Sequence, residues 1–160
     1  MSDLTTLIFT EHLQTIIARH AEVRKAASDL LQSEFKKVIV MFFTHCPEVN
    51  VIKWTQLIPY FNDGDTCEFE VYDPVYSNTT DIENLSIYGE YHGDATGVWC
   101  ECSTRCMNSA PEHLHEYIRA LDKFLLSKEL KDVLKDTFGE HAKVTITREG
   151  ITAEEYSDHD

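Results

Sequence analysis

Cys100-Glu101-Cys102, followed by Cys106, is the densest set of soft metal ligands in this chain. On a strand, residues two apart point the same way, so Cys100 and Cys102 can share an ion. Zinc takes four ligands, and Cys106 with Cys67 or His92 would complete the set. The paired Cys-x-x-Cys spacing is missing, however, and isolated cysteines are common core residues. Cys100, Cys102 and Cys106 are therefore the metal candidates, zinc is the ion they would hold, and a chain with no cofactor is the simpler expectation.

Other constellations have equally plain structural readings. Glu68 and Glu70 share a strand face, with Lys53 expected across a hairpin. Two carboxylates and a lysine on a sheet suit a metal-dependent phosphoryl clamp, but alternating charge also marks any solvated strand face. Asn62-Asp63-Gly64-Asp65 offers oxygen ligands for Ca²⁺ or Mg²⁺ without the spacing of an EF-hand, and turn chemistry explains each residue. His45-Cys46 places a thiol beside a base, although sequence neighbours diverge on most backbones and a helix end is the simpler account. His113 and His115, two apart on a helix, do not share a face. Asp158-His159-Asp160 reads as an acidic tail. No phosphate-cradling glycine loop or nucleophile elbow occurs.

The 160 residues carry a net charge of −14. Residues 1–40 hold five acids and five bases, whereas residues 41–110 hold eleven acids against Lys53 and Arg105 alone. Such a field repels phosphate backbones, so direct nucleic-acid binding is not expected, while a basic protein partner or a cation is favoured. The start of the chain lacks a basic signal-peptide pattern, and Val38–Phe43 falls far short of the ~20 apolar residues that span a bilayer. The five cysteines suggest no disulfide framework. A soluble protein in a reducing cytosol is expected.

Helices and a sheet must position these groups. Leu13, Ile16, Ile17, Val23, Ala27, Leu30 and Leu31, then Phe35, Val38, Ile39, Phe42 and Phe43, recur at helical steps until Pro47. One long helix or two end to end are predicted. Val49–Gln56 and Thr66–Tyr72 alternate with period two around a turn at Pro59 and Gly64, predicting an antiparallel hairpin. Tyr60 and Phe61 crowd that turn and are expected to pack back onto it. Residues 73–84 read as a polar loop, with further strands at Leu85–Tyr91 and Val98–Cys102. A helix over Ala110–Leu126 capped by Ser109, a shorter helix over Lys128–Phe138 stopped by Gly139, and a terminal hairpin over 143–156 complete the chain. The sum is one α+β domain over 1–160: an antiparallel sheet with long amphipathic helices packed on one face.

Trp54-Thr55-Gln56, Pro59-Tyr60-Phe61-Asn62-Asp63-Gly64-Asp65 and Cys67-Glu68-Phe69 resemble a motif in uncharacterised proteins of tailed bacteriophages. The ending Phe138-Gly139-Glu140-His141, Val144–Gly150 and Tyr156–Asp160 is similar to theirs too. The resemblance covers residues 10–72 and 110–160. It implies a small protein made in an infected cell, hence the host cytoplasm, and brings no catalytic residues with it. The expected function is non-enzymatic: a phage accessory protein that binds a host or phage protein bearing a basic patch, for instance to inhibit a nucleic-acid enzyme or a defence protein. Asp63, Asp65, Glu68, Glu70 and Asp73 would supply the field, with Tyr60 and Phe61 as anchors. The alternatives are a small metal-dependent enzyme or ligand binder, and a self-assembling subunit with the N-terminal helix as the seam of a homodimer.

Overall fold

The computed structural model describes residues 2–60, 64–81, 97–101 and 104–156. Chain order is α1 (Ser2–His45), β1 (Val51–Leu57), β2 (Glu70–Ser77), β3 (Val98–Trp99), α2 (Thr104–Asn108), a 3₁₀ turn (Glu112–Leu114), α3 (His115–Leu125), α4 (Lys128–Phe138), β4 (Ala142–Thr147) and β5 (Ile151–Glu155). The five described strands form one antiparallel sheet in the order β3-β2-β1-β4-β5. The α+β reading holds.

α1 is a single helix of 44 residues, ~66 Å long at 1.5 Å per residue. No glycine or proline interrupts it before Pro47, and Ser33 does not restart it. Only its second half packs. Phe35, Ile39, Phe42 and Phe43 enter the main core with Ile52 and Trp54 of β1, Tyr76 of β2, Val144 and Ile146 of β4, and the inner faces of α3 and α4. Leu31 and Val38 lean on that core. Residues 7–27 are exposed throughout, Leu13, Ile16, Ile17 and Val23 among them. The expectation that the whole helix lays an apolar face on the sheet fails for this first half, which projects as an arm.

The tip of the last hairpin closes the other end of α1. Arg148 donates to the carbonyls of Phe43 at 3.0 Å, Cys46 at 3.4 Å, Pro47 at 3.0 Å and Val49 at 3.1 Å, and its guanidinium stands 5.1 Å from the Phe43 ring. A helix leaves its last carbonyls unpaired and negative, and a guanidinium fork answers both.

β2 runs further than its sequence suggests. Asp73-Pro74 lies inside it rather than opening a loop. Lys53 pairs with Val75 and Thr55 with Tyr72, so the single residue Trp54 faces both Asp73 and Pro74 in a bulge. Proline has no N–H for a ladder, and β3 reaches only Tyr76 and Ser77, so Pro74 sits where no second strand is described. α2 wraps the β3 edge: Met107 joins the main core, while Cys106 joins a smaller cluster with Val51, Val75, Val98 and Cys100 on the other sheet face. The Ser109 cap does not form. Its hydroxyl donates to Cys106 O at 2.7 Å, and the 3₁₀ turn after Pro111 leads into α3. α4 ends at Gly139, whose φ of 94° only glycine adopts freely. The strand expected at Leu85–Tyr91 lies outside the described residues.

Candidate functional site

The corner beyond β1 carries the residues expected to bind a partner. It is anchored from beneath by two fully buried side chains, Trp54 and Gln56. Trp54 meets Phe138 edge to face at 6.1 Å, and its indole N–H donates to Gln56 Oε1 at 3.1 Å. Past β1 the chain emerges at Tyr60, which is 72% exposed and whose ring stacks on His141 at 5.6 Å. Tyr60 therefore rests one face on the body and shows the other to solvent, instead of folding back wholly. Asp65 and Glu68 are exposed, and Gly64 takes the positive φ its turn requires. Glu70 departs from expectation. It is half-buried and paired with Lys131 of α4, so its charge is spent inside the fold. Phe61 and Asp63 lie outside the described residues, as does the side chain of Asp73.

The carboxylate-lysine clamp does not assemble. Glu70 sits opposite Leu57 and Lys53 opposite Val75, several residues apart along the ladder. Lys53 belongs to the outer face with Lys143 and Glu154. Partial burial lowers its pKa, which Glu154 opposes and Lys143 reinforces.

Of the three cysteine metal candidates, Cys100 and Cys106 are described. Cys100 is disulfide-bonded, so its sulfur is not an available thiolate and the expectation of no disulfide is corrected. Cys106 is a buried thiol that donates to Val98 O at 3.3 Å and has its pKa raised by burial. Among the described residues, no three His, Cys, Asp or Glu side chains converge as a metal site would need. Cys102 lies outside those residues. Cys46 is wholly buried, and burial and then Glu48 push its thiol up to about 11 against the opposing pull of Arg148. Its neighbour His45 stacks on Tyr117 at 5.5 Å instead, as a helix end would have it. His113 bonds Glu48 at 2.7 Å and His115 bonds Ala110 O at 2.9 Å, in separate directions.

The most exposed apolar surface lies on the N-terminal helix, which the sequence offered only as the seam of the self-assembling alternative. Leu7, Ile8, Phe9, Leu13, Ile16, Ile17, Val23 and Leu30 on the arm are each at least 43% exposed. Monomeric soluble proteins rarely show so long an apolar row. Towards the body the same side of α1 leads into an apolar groove of about 200 Å³ between Val38, Met41 and His45 of α1 and Tyr117, Ala120 and Phe124 of α3. A second groove of about 390 Å³ lies between α1 and α4, where Arg24 meets Asp132 at 3.8 Å beside Asp29, Glu129 and Asp136. The repeating three- and four-residue steps were visible in the sequence, but they announce a face without saying what covers it.

No helix among the described residues is long and apolar enough to cross a membrane. No family model, curated protein or solved structure matches the chain.

Proposed function

We propose that this protein works by associating with other protein chains, its helical arm being the principal attachment surface. The observation that carries this is the solvent-exposed apolar row from Leu7 to Leu30 on a helix rooted in the core only from Leu31 onward. Most helical stability in proteins comes from packing an amphipathic face, so a covering partner answers both the exposed area and the helicity. A photoreactive residue replacing Leu13 tests it in the producing cell. Covalent adducts to protein, heavier than the 18.4 kDa chain, are expected. An arm that crosslinks to no protein while the body is folded would sink the reading.

The exposed Tyr60 ring favours a second surface beside the first. With Asp65 and Glu68 it forms an acidic, ring-bearing corner suited to a basic patch, and the resemblance to phage proteins makes a host or phage protein its partner. Salt-sensitive binding to a lysine-rich peptide should fall when Tyr60→Ala, Asp65→Lys and Glu68→Lys are combined. The same charge change at Glu11 and Asp29 separates a site from bulk charge: equal loss in both variants rejects the corner.

A further inference from the structure

We propose that the arm is covered by the arm of a second copy of this chain, the two helices running antiparallel and centred near residue 18. The inference rests on the association reading above and names its partner.

Phe9, Leu13, Ile16, His20, Val23, Ala27 and Leu30 follow one another at alternating steps of four and three. That is three heptads of a two-helix seam, and every one of these side chains is exposed. The seam is narrow, as a single partner helix requires. Glu11, Glu22, Lys25 and Asp29 lie off it, on the arm's solvated sides.

Direction follows from where the body sits. From Val38 onward α3 borders this side of α1, with Tyr117, Ala120 and Phe124 facing Val38, Met41 and His45. In a parallel pair each copy's α3 would wedge between the helices at the same end. It would also set Arg19 against the partner's Arg24 on both flanks. An antiparallel pair centred on residue 18 keeps each Phe9–Leu30 seam clear of the partner's α3. Its layers then match large to small: Phe9 with the partner's Ala27, Leu13 with the partner's Val23, Ile16 with the partner's His20. One like-charge contact remains on the two-fold axis, Arg19 against the partner's Arg19, each with Glu22 three residues away. The bodies end up at opposite ends of a rod, which makes the dimer bivalent for anything the bodies bind.

Sedimentation equilibrium of the full chain should give twice 18.4 kDa. Ile16→Asp and Val23→Asp should each weaken association by at least ~30-fold, the effect of losing a central interface side chain. Gln14→Asp, off the seam, should not. Buried Trp54 and Trp99 report by near-ultraviolet dichroism that each variant is folded. His20→Leu should tighten the dimer by removing a polar group from the seam. A photoreactive residue at Leu13 in the purified dimer should mark the partner near Val23. Marking near the partner's Leu13 would establish a parallel pair and overturn the proposal. So would a strictly monomeric chain. If that monomer's arm still crosslinked to other proteins in the cell, association would stand and self-pairing alone would fall; if it crosslinked to none, both fail.

Discussion

Gln56 holds Gly139: the buried amide of Gln56 donates from Nε2 to the carbonyl of Gly139 at 2.5 Å and to that of Leu134 at 3.1 Å. Its Oε1 accepts the Trp54 indole N–H at 3.1 Å. One side chain thus ties β1 to the end of α4, where the Gly139 carbonyl has no helical partner. Gln56→Leu keeps the bulk but orphans the indole and the Gly139 carbonyl and removes the second bond to Leu134 O. Each buried orphan costs ~1–3 kcal/mol, so urea unfolding should show a loss of ~3–5 kcal/mol after partial relaxation. Gln56→Glu should be no better, because a carboxylate cannot donate to two carbonyls. A loss below ~1 kcal/mol would mean that the amide is dispensable.

Arg148 plays the matching role at the end of α1. Four carbonyls within 3.4 Å and the Phe43 ring occupy it. Charged hydrogen bonds contribute ~1.5–3 kcal/mol, so Arg148→Ala should lower stability by ~2–3 kcal/mol in denaturant titration. Arg148→Lys should recover little, because a compact ammonium cannot reach carbonyls spread over Phe43 to Val49. Full rescue by lysine would show that charge alone suffices.

Alkaline pH should unfold the protein through two buried groups. Burial, then Glu48, raises the Cys46 thiol from 9.0 to about 11. Burial, then the contact with Asp122, whose Oδ1 accepts from the phenol at 3.2 Å, raises Tyr76 well above its ordinary 10.0. Both pKa values are higher folded than unfolded, so the folded state keeps protons the unfolded chain releases. The Cys46 contribution is complete below pH 9.0 and is lost as pH rises through about 11. That shift corresponds to about 2–3 kcal/mol. The Tyr76 loss begins above its unfolded value of 10.0. Cys46→Ala should flatten the stability curve between pH 9 and 11, and Tyr76→Phe the steeper fall above 10.0. An unchanged slope in both would show that these groups do not govern alkaline unfolding.

The elements legible in the sequence are those set by local chemistry. Gly139 stops α4 because a positive φ is cheap only for glycine, and the alternation over Ala142–Glu155 specifies a hairpin in a single register. β2 was misplaced because Asp73-Pro74 looks like a breaker, and only the pairing shows a bulge there. Glu70 was taken for a free charge because its partner Lys131 lies 61 residues away. Cysteine spacing did not predict the disulfide at Cys100. Trp54 and Gln56, prominent in the hairpin motif, are buried structural members, whereas Tyr60 of the same motif is exposed. A motif shows that residues belong together, but not which of them reach solvent.

The contrast between Leu13 and Phe35 separates the root of α1 from its arm. Phe35 is almost fully buried in the main core, while Leu13 is 43% exposed and outside it. Phe35→Ala should cost ~3–5 kcal/mol at every protein concentration, since it empties a packed site within one chain. Leu13→Ala should cost little when the chain is dilute, because few contacts are lost. Its cost should appear as concentration rises, because only a partner that binds the folded chain can make an exposed leucine stabilising. Thermal midpoints of wild type, Leu13→Ala and Phe35→Ala across a hundredfold range of concentration therefore discriminate. Wild type should climb with concentration, Phe35→Ala should run parallel below it, and Leu13→Ala should start level with wild type and fall progressively behind. Three parallel lines, or a Leu13→Ala deficit already complete in the dilute limit, would place Leu13 in an intramolecular contact and remove the arm's need for a partner.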